Sequence, residues 1–412
     1  MPRGLLGIAA LLLLAWALSE DRYRVPWRVV IAGVLLQFGL AVTFLRFPPA
    51  AQAFLLLNDG VDALQKATDA GTGFVFGYLG GGPLPFTETS PGGSFIFAFR
   101  ALPLVLVISA LATLLFYWGV LQRIVAAFAW VLRRSAGVGG PLGLGAAVHI
   151  FVGHIEAPLL IRPYLLRMAR GELFALMSCG MAGIAGTVMV LYASILGPVV
   201  PDALGNILAA AIISTPAALA LAALMIPFRP DAAAEAHLEI TNPPVSTMDA
   251  VARGTGDGIV FIANITAMLV VLVALVTLLN MVLGLLPDVA GAPITLQRLF
   301  AFFFEPVMWL IGVPDADIHQ AAQLMGTKTV LNEFIAYVDL AHLPQGALSP
   351  HTRLILTYAM CGFANFGSLG ILLGGMGAMV PERRREIVEL GLRSILSGTL
   401  ATCMSGAVVG ML

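Results

Sequence analysis

The chain has 412 residues, 59% of them hydrophobic and only 11% charged, with a formal net charge of −1 and a mean hydropathy of +0.94. A soluble domain carries about a quarter charged residues, so the composition excludes one and implies an integral membrane protein. Near-neutral charge without a basic, aromatic-interleaved run gives no footing for a nucleic-acid partner.

In chain order, apolar runs long enough for a core of about 30 Å fall at 4–18, 29–46, 103–122, 172–196, 203–227, 258–286, 350–380 and 386–410. They predict eight transmembrane helices. The first run, with Arg3 ahead of an apolar stretch and small residues at Ala15 and Ala17, also has the form of a signal peptide; a short first span is preferred. Between the second and third runs, Val61, Leu64, Ala67, Phe74 and Phe76 oppose Asp62, Gln65, Lys66 and Asp69, which suits a helix lying in the membrane interface. Residues 80–93 are a loop by their glycines and prolines, and 229–257 form a second polar connection. Cys179, Cys361 and Cys403 lie in apolar runs without CxxC spacing, so they read as packed thiols and no metal or cofactor is expected.

Two further apolar segments, 141–168 and 315–342, do not span. Each reads as two helical arms about a break, each arm about 16 Å long, enough to reach the midplane and return. Two re-entrant hairpins are therefore expected, with Glu156 and Glu333 at their tips. A carboxylate at that depth is costly unless it faces a cavity and meets a polar partner, which marks a functional site. Each hairpin is followed by a glycine-interrupted span that begins Cys-Gly-apolar-Ala, at 179–186 and at 361–368. Paired hairpins followed by paired discontinuous helices point to a repeat-built transporter with a midplane site.

Threading the spans puts Arg22, Arg24, Arg28, Arg123, Arg133, Arg134, Arg162, Arg167, Arg170, Arg229, Arg253 and Arg383 to Arg385 on one side, against Arg3, Arg46, Lys66, Arg100, Arg298 and Arg353 on the other. The first side is cytoplasmic by the positive-inside rule, both termini are outside, and the hairpins enter from opposite faces as an inverted repeat. Two other classes compete. His149, His154 and Glu156 in one short segment suggest an intramembrane metalloenzyme, but HExxH spacing is absent and Pro158 breaks the helix. A channel needs polar groups along a whole pore, whereas these cluster at one depth.

The segment Gly326-Thr327-Lys328 through Asn332-Glu333-Phe334-Ile335-Ala336-Tyr337 resembles the signature of the concentrative nucleoside transporters, with Ile where that family usually has Val. Gly153, Glu156, Ala157 and Pro158 match its first hairpin tip, and Cys361 to Asn365 with Ser368 match its broken seventh helix. The resemblance covers essentially the whole chain. It implies an all-α polytopic protein of eight transmembrane helices and two opposed hairpins, built as a homotrimer and working as an elevator in the cytoplasmic (inner) membrane. The implied division is 1–47 scaffold spans one and two, 48–102 interfacial helix and loop, and 103–135 scaffold span three. Residues 136–227 follow as the first transport repeat, 228–257 as a cytoplasmic connection, 258–312 as span six with an external helix, and 313–412 as the second transport repeat.

The resemblance also assigns roles. Glu156, Glu333, Asn365 and Ser368 would hold ribose hydroxyls, which donate to carboxylates while an amide both donates and accepts. Phe363 would pack on sugar or base, and Val188 matches a base-facing position. Two departures matter most. Where the family has Gln followed by Ser or Thr against the base, this chain has His154 and Ile155. Where sodium-coupled relatives have Asn and Ser ligands, with main-chain carbonyls near Val152 and Ile184, it has His149 and Gly183. A hard cation wants oxygen ligands, so proton coupling through Glu156, His149 or His154 is the expectation, with sodium coupling or facilitated diffusion as the alternatives. Each histidine reads equally well as a packed ring bonded to a neighbouring carbonyl, and Lys328 is read as a structural cap.

Overall fold

The computed structural model describes residues 2–88, 94–229, 243–289, 291–344 and 346–412. Side chains of residues 48–58, 61 and 62 lie outside that description, and with them Val61 and Asp62 of the amphipathic pattern. Residues 89–93 of the loop and 230–242 of the polar connection lie outside it too.

The described residues are helical almost throughout. Helices α1 (Pro2–Ala17) and α2 (Trp27–Arg46) lead to the long α3 (Pro48–Phe76), the short α4 (Phe97–Arg100), α5 (Leu104–Tyr117) and α6 (Val120–Ala136). A broken region follows: α7 (Gly140–Val148), α8 (Glu156–Leu160), α9 (Arg162–Leu165), α10 (Arg170–Ala182), α11 (Gly186–Leu196) and α12 (Ala203–Met225). Then come α13 (Thr247–Leu283) and α14 (Leu296–Leu310), and a second broken region of α15 (Ile318–Val330), α16 (Glu333–His342), α17 (Pro350–Ala359), α18 (Phe366–Met379) and α19 (Arg384–Met411). Several helices start where a hydroxyl can take an orphan N–H. Ser246 accepts from Asp249 N, Thr295 from Arg298 N and Ser349 from Thr352 N, each such cap stabilising its helix by about 1 kcal/mol.

Six helical stretches are long and apolar enough to cross a membrane: Trp27–Arg46, Phe97–Tyr117, Arg170–Leu196, Ala203–Met225, Thr247–Leu283 and Pro381–Met411. Arg3–Ala17 and Phe366–Met379 are apolar but shorter. Burial divides them sharply. The apolar window of α12 is 94% buried and that of α13 only 6%, so α12 is a central helix and α13 presents its side chains outward.

Helix α13 packs mainly on α5, whereas α10, α12, α17 and α19 form a tight body. Helices α1 and α2, the span pair of 1–47, pack on α12 and α19. A buried polar node fixes part of that contact: Gln37 donates to Ser405 at 2.9 Å, and Ser405 and Ser214 share a 2.8 Å bond. Small and hydroxyl-bearing residues serve this purpose because lipid offers helices no hydrophobic drive to associate.

Charges collect at the two ends of this body. Arg3 pairs with Asp315 at 2.8 Å, just before α15, and Arg46 reaches the Leu412 carbonyl. At the other end Glu20 meets Arg170 at 3.2 Å and Arg393 at 2.5 Å, with Glu386 and Glu389 beside Arg170. The three cysteines are buried and unbridged.

Candidate functional site

Four interruptions of helix meet in one place. The link 149–155 between α7 and α8, the gap between α10 and α11, the turn between α15 and α16, and the gap between α17 and α18 leave backbone groups unpaired within their own helices. They pair with one another. Gly186 N donates to Phe151 O at 3.0 Å, Phe363 N donates to Gly183 O at 3.1 Å, and Lys328 Nζ donates to Ala364 O at 2.9 Å from a fully buried position. That is the capping expected of Lys328. Close approach requires Gly362, where a Cβ would meet Met181 O at 2.9 Å and Ala182 O at 3.0 Å.

Two asparagines start the second arms. Asn332 Oδ1 accepts from Ile335 N at 2.9 Å to begin α16, and Asn365 Oδ1 accepts from Ser368 N at 2.7 Å to begin α18. Capping leaves the Asn365 amide group free to turn toward Glu333, and Nδ2 donates to Oε2 at 2.9 Å. The other carboxylate oxygen, Oε1, accepts from the Tyr192 hydroxyl at 2.7 Å. Glu333 is 3% exposed, so these donors offset the cost of burying its charge. Its place in the first turn of α16 adds the favourable end of the helix dipole.

The break before α8 is built differently. Glu156 opens α8, and its carboxylate folds back over Gly153 toward the N–H groups of Ile155 and Glu156. Its side chain makes no pair with Glu333. His154 packs at a tilt against Phe363, ring centroids 4.7 Å apart and planes 59° from parallel, and also faces the Ser368 main-chain carbonyl. His149 and His154 both border Gly180: a Cβ there would meet His149 Cε1 and His154 Cβ, each at 3.1 Å. Both rings are buried, and Nε2 of each lacks a hydrogen-bond partner. The main-chain oxygens of His149 and Cys179 lie 3.3 Å and 3.4 Å from where a Cβ on Gly183 would sit. Ile184 is buried, Val152 half-buried.

Ile155 packs onto Gly375 of α18. Val188 is half-buried against the core. Tyr192 was not among the residues expected here. Its one sequence signal is a position four residues after Val188, which puts both on one helical face. Among the described residues no group of three or more His, Cys, Asp and Glu converges as a metal site.

Three family models match the chain: one described as Na+ dependent nucleoside transporter N-terminus over residues 6–79, one as nucleoside recognition over 98–199, and one as Na+ dependent nucleoside transporter C-terminus over 206–410. The chain is 36% identical to an uncharacterized transporter of Haemophilus influenzae, across 99% of this chain and 96% of that protein. It is 33% identical to sodium/nucleoside cotransporter 1 of Mus musculus, across 98% of this chain and 63% of that longer protein. It superimposes on CNTnw in an inward-facing substrate-bound state with a TM-score of 0.88 at 34% identity, covering 99% of this chain and 98% of the other. Helical architecture, converging breaks and similarity over the full length agree: the chain belongs to the concentrative nucleoside transporter family, multi-pass transporters of nucleosides in the cytoplasmic membrane.

Proposed function

We propose that this transporter imports ribonucleosides by proton-coupled secondary transport, with Glu333 and Asn365 at the centre of the sugar site. The observation that carries the reading is the buried 2.9 Å pair between Glu333 and Asn365, which joins the second broken hairpin to the interrupted span. Vicinal ribose hydroxyls donate to Glu333 and to Glu156, while the Asn365 amide and Ser368 complete the set. Phe363 and His154 form an apolar and aromatic wall for sugar or base. Ile155 and Val188 offer no polar side-chain group to the base.

The architecture behind this reading is an inverted repeat. Residues 136–227 and 313–412 each contribute a re-entrant hairpin and a broken span, within a count of eight membrane helices. Charge supports the opposed entry, since Asp315 before α15 pairs with Arg3 at the start of α1, whereas Arg170 after the first hairpin pairs with Glu20 beyond its end. The packing of α13 mainly on α5 supports these two as the scaffold against which the rest moves. On the same ground 1–47 rides with the moving body. The outward apolar face of α13 suits lipid or a neighbouring copy in a homotrimer. The boundaries at 48–102, 103–135, 228–257 and 258–312 stand as drawn from the sequence.

Proton coupling rests on His149 and His154. A buried nitrogen without a partner is costly, and two of them beside Glu156 offer places for a proton as the carrier cycles. Sodium is the second reading, favoured by the carbonyls of His149 and Cys179 around Gly183 and by the sodium dependence named for the matching family. Gly183 supplies no side-chain oxygen, and imidazole is a poor ligand for a hard cation. Uptake into proteoliposomes under separately imposed proton and sodium gradients decides. Accumulation driven by sodium at equal pH on both sides overturns the proton reading, and unimpaired uptake by Glu333→Gln overturns the sugar site.

A further inference from the structure

Both carboxylate oxygens of Glu333 are already bonded to the protein: Oε1 to Tyr192 Oη at 2.7 Å and Oε2 to Asn365 Nδ2 at 2.9 Å. We propose that the Tyr192 hydroxyl stands in for a substrate hydroxyl, closing the empty site so that the unloaded carrier can return across the membrane. This deepens the sugar-site reading and rests on it.

Tyr192 lies on α11, of the first broken region, and Glu333 on α16, of the second. Their bond is therefore a tie between the two halves. Its ring is held against α16 as well, with centroids 5.3 Å from Tyr337 and 6.2 Å from Phe334. Tyr337 is in turn fixed by donating to Thr357 O at 2.8 Å. The phenol thus arrives at Glu333 from a rigid, apolar wall, and Tyr192 is 3% exposed.

The energetic argument compares loaded and empty carriers. A nucleoside brings hydroxyl donors to Glu333 and removes the need for Tyr192. Once it leaves, a closed site without Tyr192 buries a carboxylate oxygen lacking a donor, which is costly in a dry interior. A net cycle requires that closed, empty form on every turn. Exchange of labelled for unlabelled nucleoside does not, because the carrier crosses loaded in both directions. Tyr192 accordingly governs net uptake more than exchange, and substrate displaces its hydroxyl rather than binding to it.

The test uses Tyr192→Phe, which keeps the ring and both aromatic contacts and removes only the hydroxyl. Full-length protein is reconstituted, and the ribonucleoside giving the largest thermal shift on native protein is the probe. Net uptake into empty vesicles should fall about ten-fold, the size expected for one lost hydrogen bond to a charged group. Exchange into vesicles preloaded with the same nucleoside should change much less, and the thermal shift on binding should be kept or enlarged, which also establishes that the variant is folded. Net uptake and exchange falling together, with the thermal shift reduced, overturn the inference and make Tyr192 a substrate contact or structural residue. Unchanged net uptake overturns it as well. Failure of the underlying site looks different: Glu333→Gln would exchange as well as native protein.

Discussion

Asn365 performs two tasks with one amide, and substitutions can separate them. Its Oδ1 caps α18 by accepting from Ser368 N at 2.7 Å, and its Nδ2 donates to Glu333 Oε2 at 2.9 Å. Serine caps a helix about as well as asparagine, so Asn365→Ser loses only the bond to Glu333, about 1.5 to 3 kcal/mol for a charged partner. Asn365→Ala loses the cap as well, about 1 kcal/mol more. Asn365→Asp keeps the cap but sets two carboxylates against each other across the observed 2.9 Å, so that one must take up a proton, at a cost of about 4 kcal/mol at neutral pH. Thermal unfolding of purified protein should therefore rank native above Ser, Ser above Ala, and Asp lowest. Ribonucleoside uptake in proteoliposomes should fall at least about ten-fold in all three. An Asp variant as stable and active as native protein would refute the assigned geometry, and so would a Ser variant with normal uptake.

Replacing His149 by Asn together with Gly183→Ser should confer sodium-dependent uptake, read as accumulation under a sodium gradient at equal pH; the carbonyls of His149 and Cys179 already flank the added hydroxyl. Absence of any sodium response in a folded double variant counts against loss of ligands as the cause. Ribonucleosides should compete for uptake better than their dideoxy analogues, and discrimination among bases should be weaker than among sugars, because Ile155 packs on Gly375 and leaves the base without a side-chain partner from that position. Equal inhibition by a ribonucleoside and its dideoxy form contradicts this. Asp317, just before α15, is pushed up by burial, but bonds from Thr352 and Ser349 outweigh this and hold it below the usual carboxylate range. Because its folded value is depressed, the stability it contributes is present above the ordinary carboxylate range and is lost as pH falls through that range and below. Thermal stability of Asp317→Asn should be lower than native near neutral pH, with the difference closing in acid; a difference independent of pH rejects the assignment.

Glu333, Asn365 and Lys328 were legible because each stands in a polar, glycine-containing break within an apolar run, where the cost of burial leaves few explanations. Packing across long sequence separations was not legible. Tyr192 reaches Glu333 over 141 residues, and a tyrosine within an apolar span reads equally well as filler. Ile155 looks like a lining residue until α18 presents Gly375, whose missing side chain makes room for it. The packing partners of α1 and α2 were equally hidden. An apolar helix has the same composition whether lipid or another helix covers it, and the Gln37, Ser214 and Ser405 node that helps tie α2 to the central body joins residues far apart in sequence. Gln37 alone in its run was the available hint, since a buried amide needs a partner.

The two bonds on Glu333 also bear on what an affinity would mean for this transporter. A nucleoside entering the site does not find a bare carboxylate; it exchanges protein donors for its own. Each substrate hydroxyl is worth the difference between its bond and the one displaced, so moderate affinity is the expected consequence of a well-satisfied empty site. An analogue lacking the hydroxyl that displaces Tyr192 loses its own bond but leaves the tyrosine in place, so Glu333 stays satisfied and only the shape of the closed site excludes the ligand. With the phenol removed, the same analogue leaves Oε1 unpaired. Discrimination between ribose and deoxyribose should therefore sharpen in Tyr192→Phe, where a ribonucleoside supplies the missing donor and its deoxy analogue does not. Competition by the two sugars, compared in native and variant protein, measures this directly; equal discrimination in both would place the tyrosine outside the exchange.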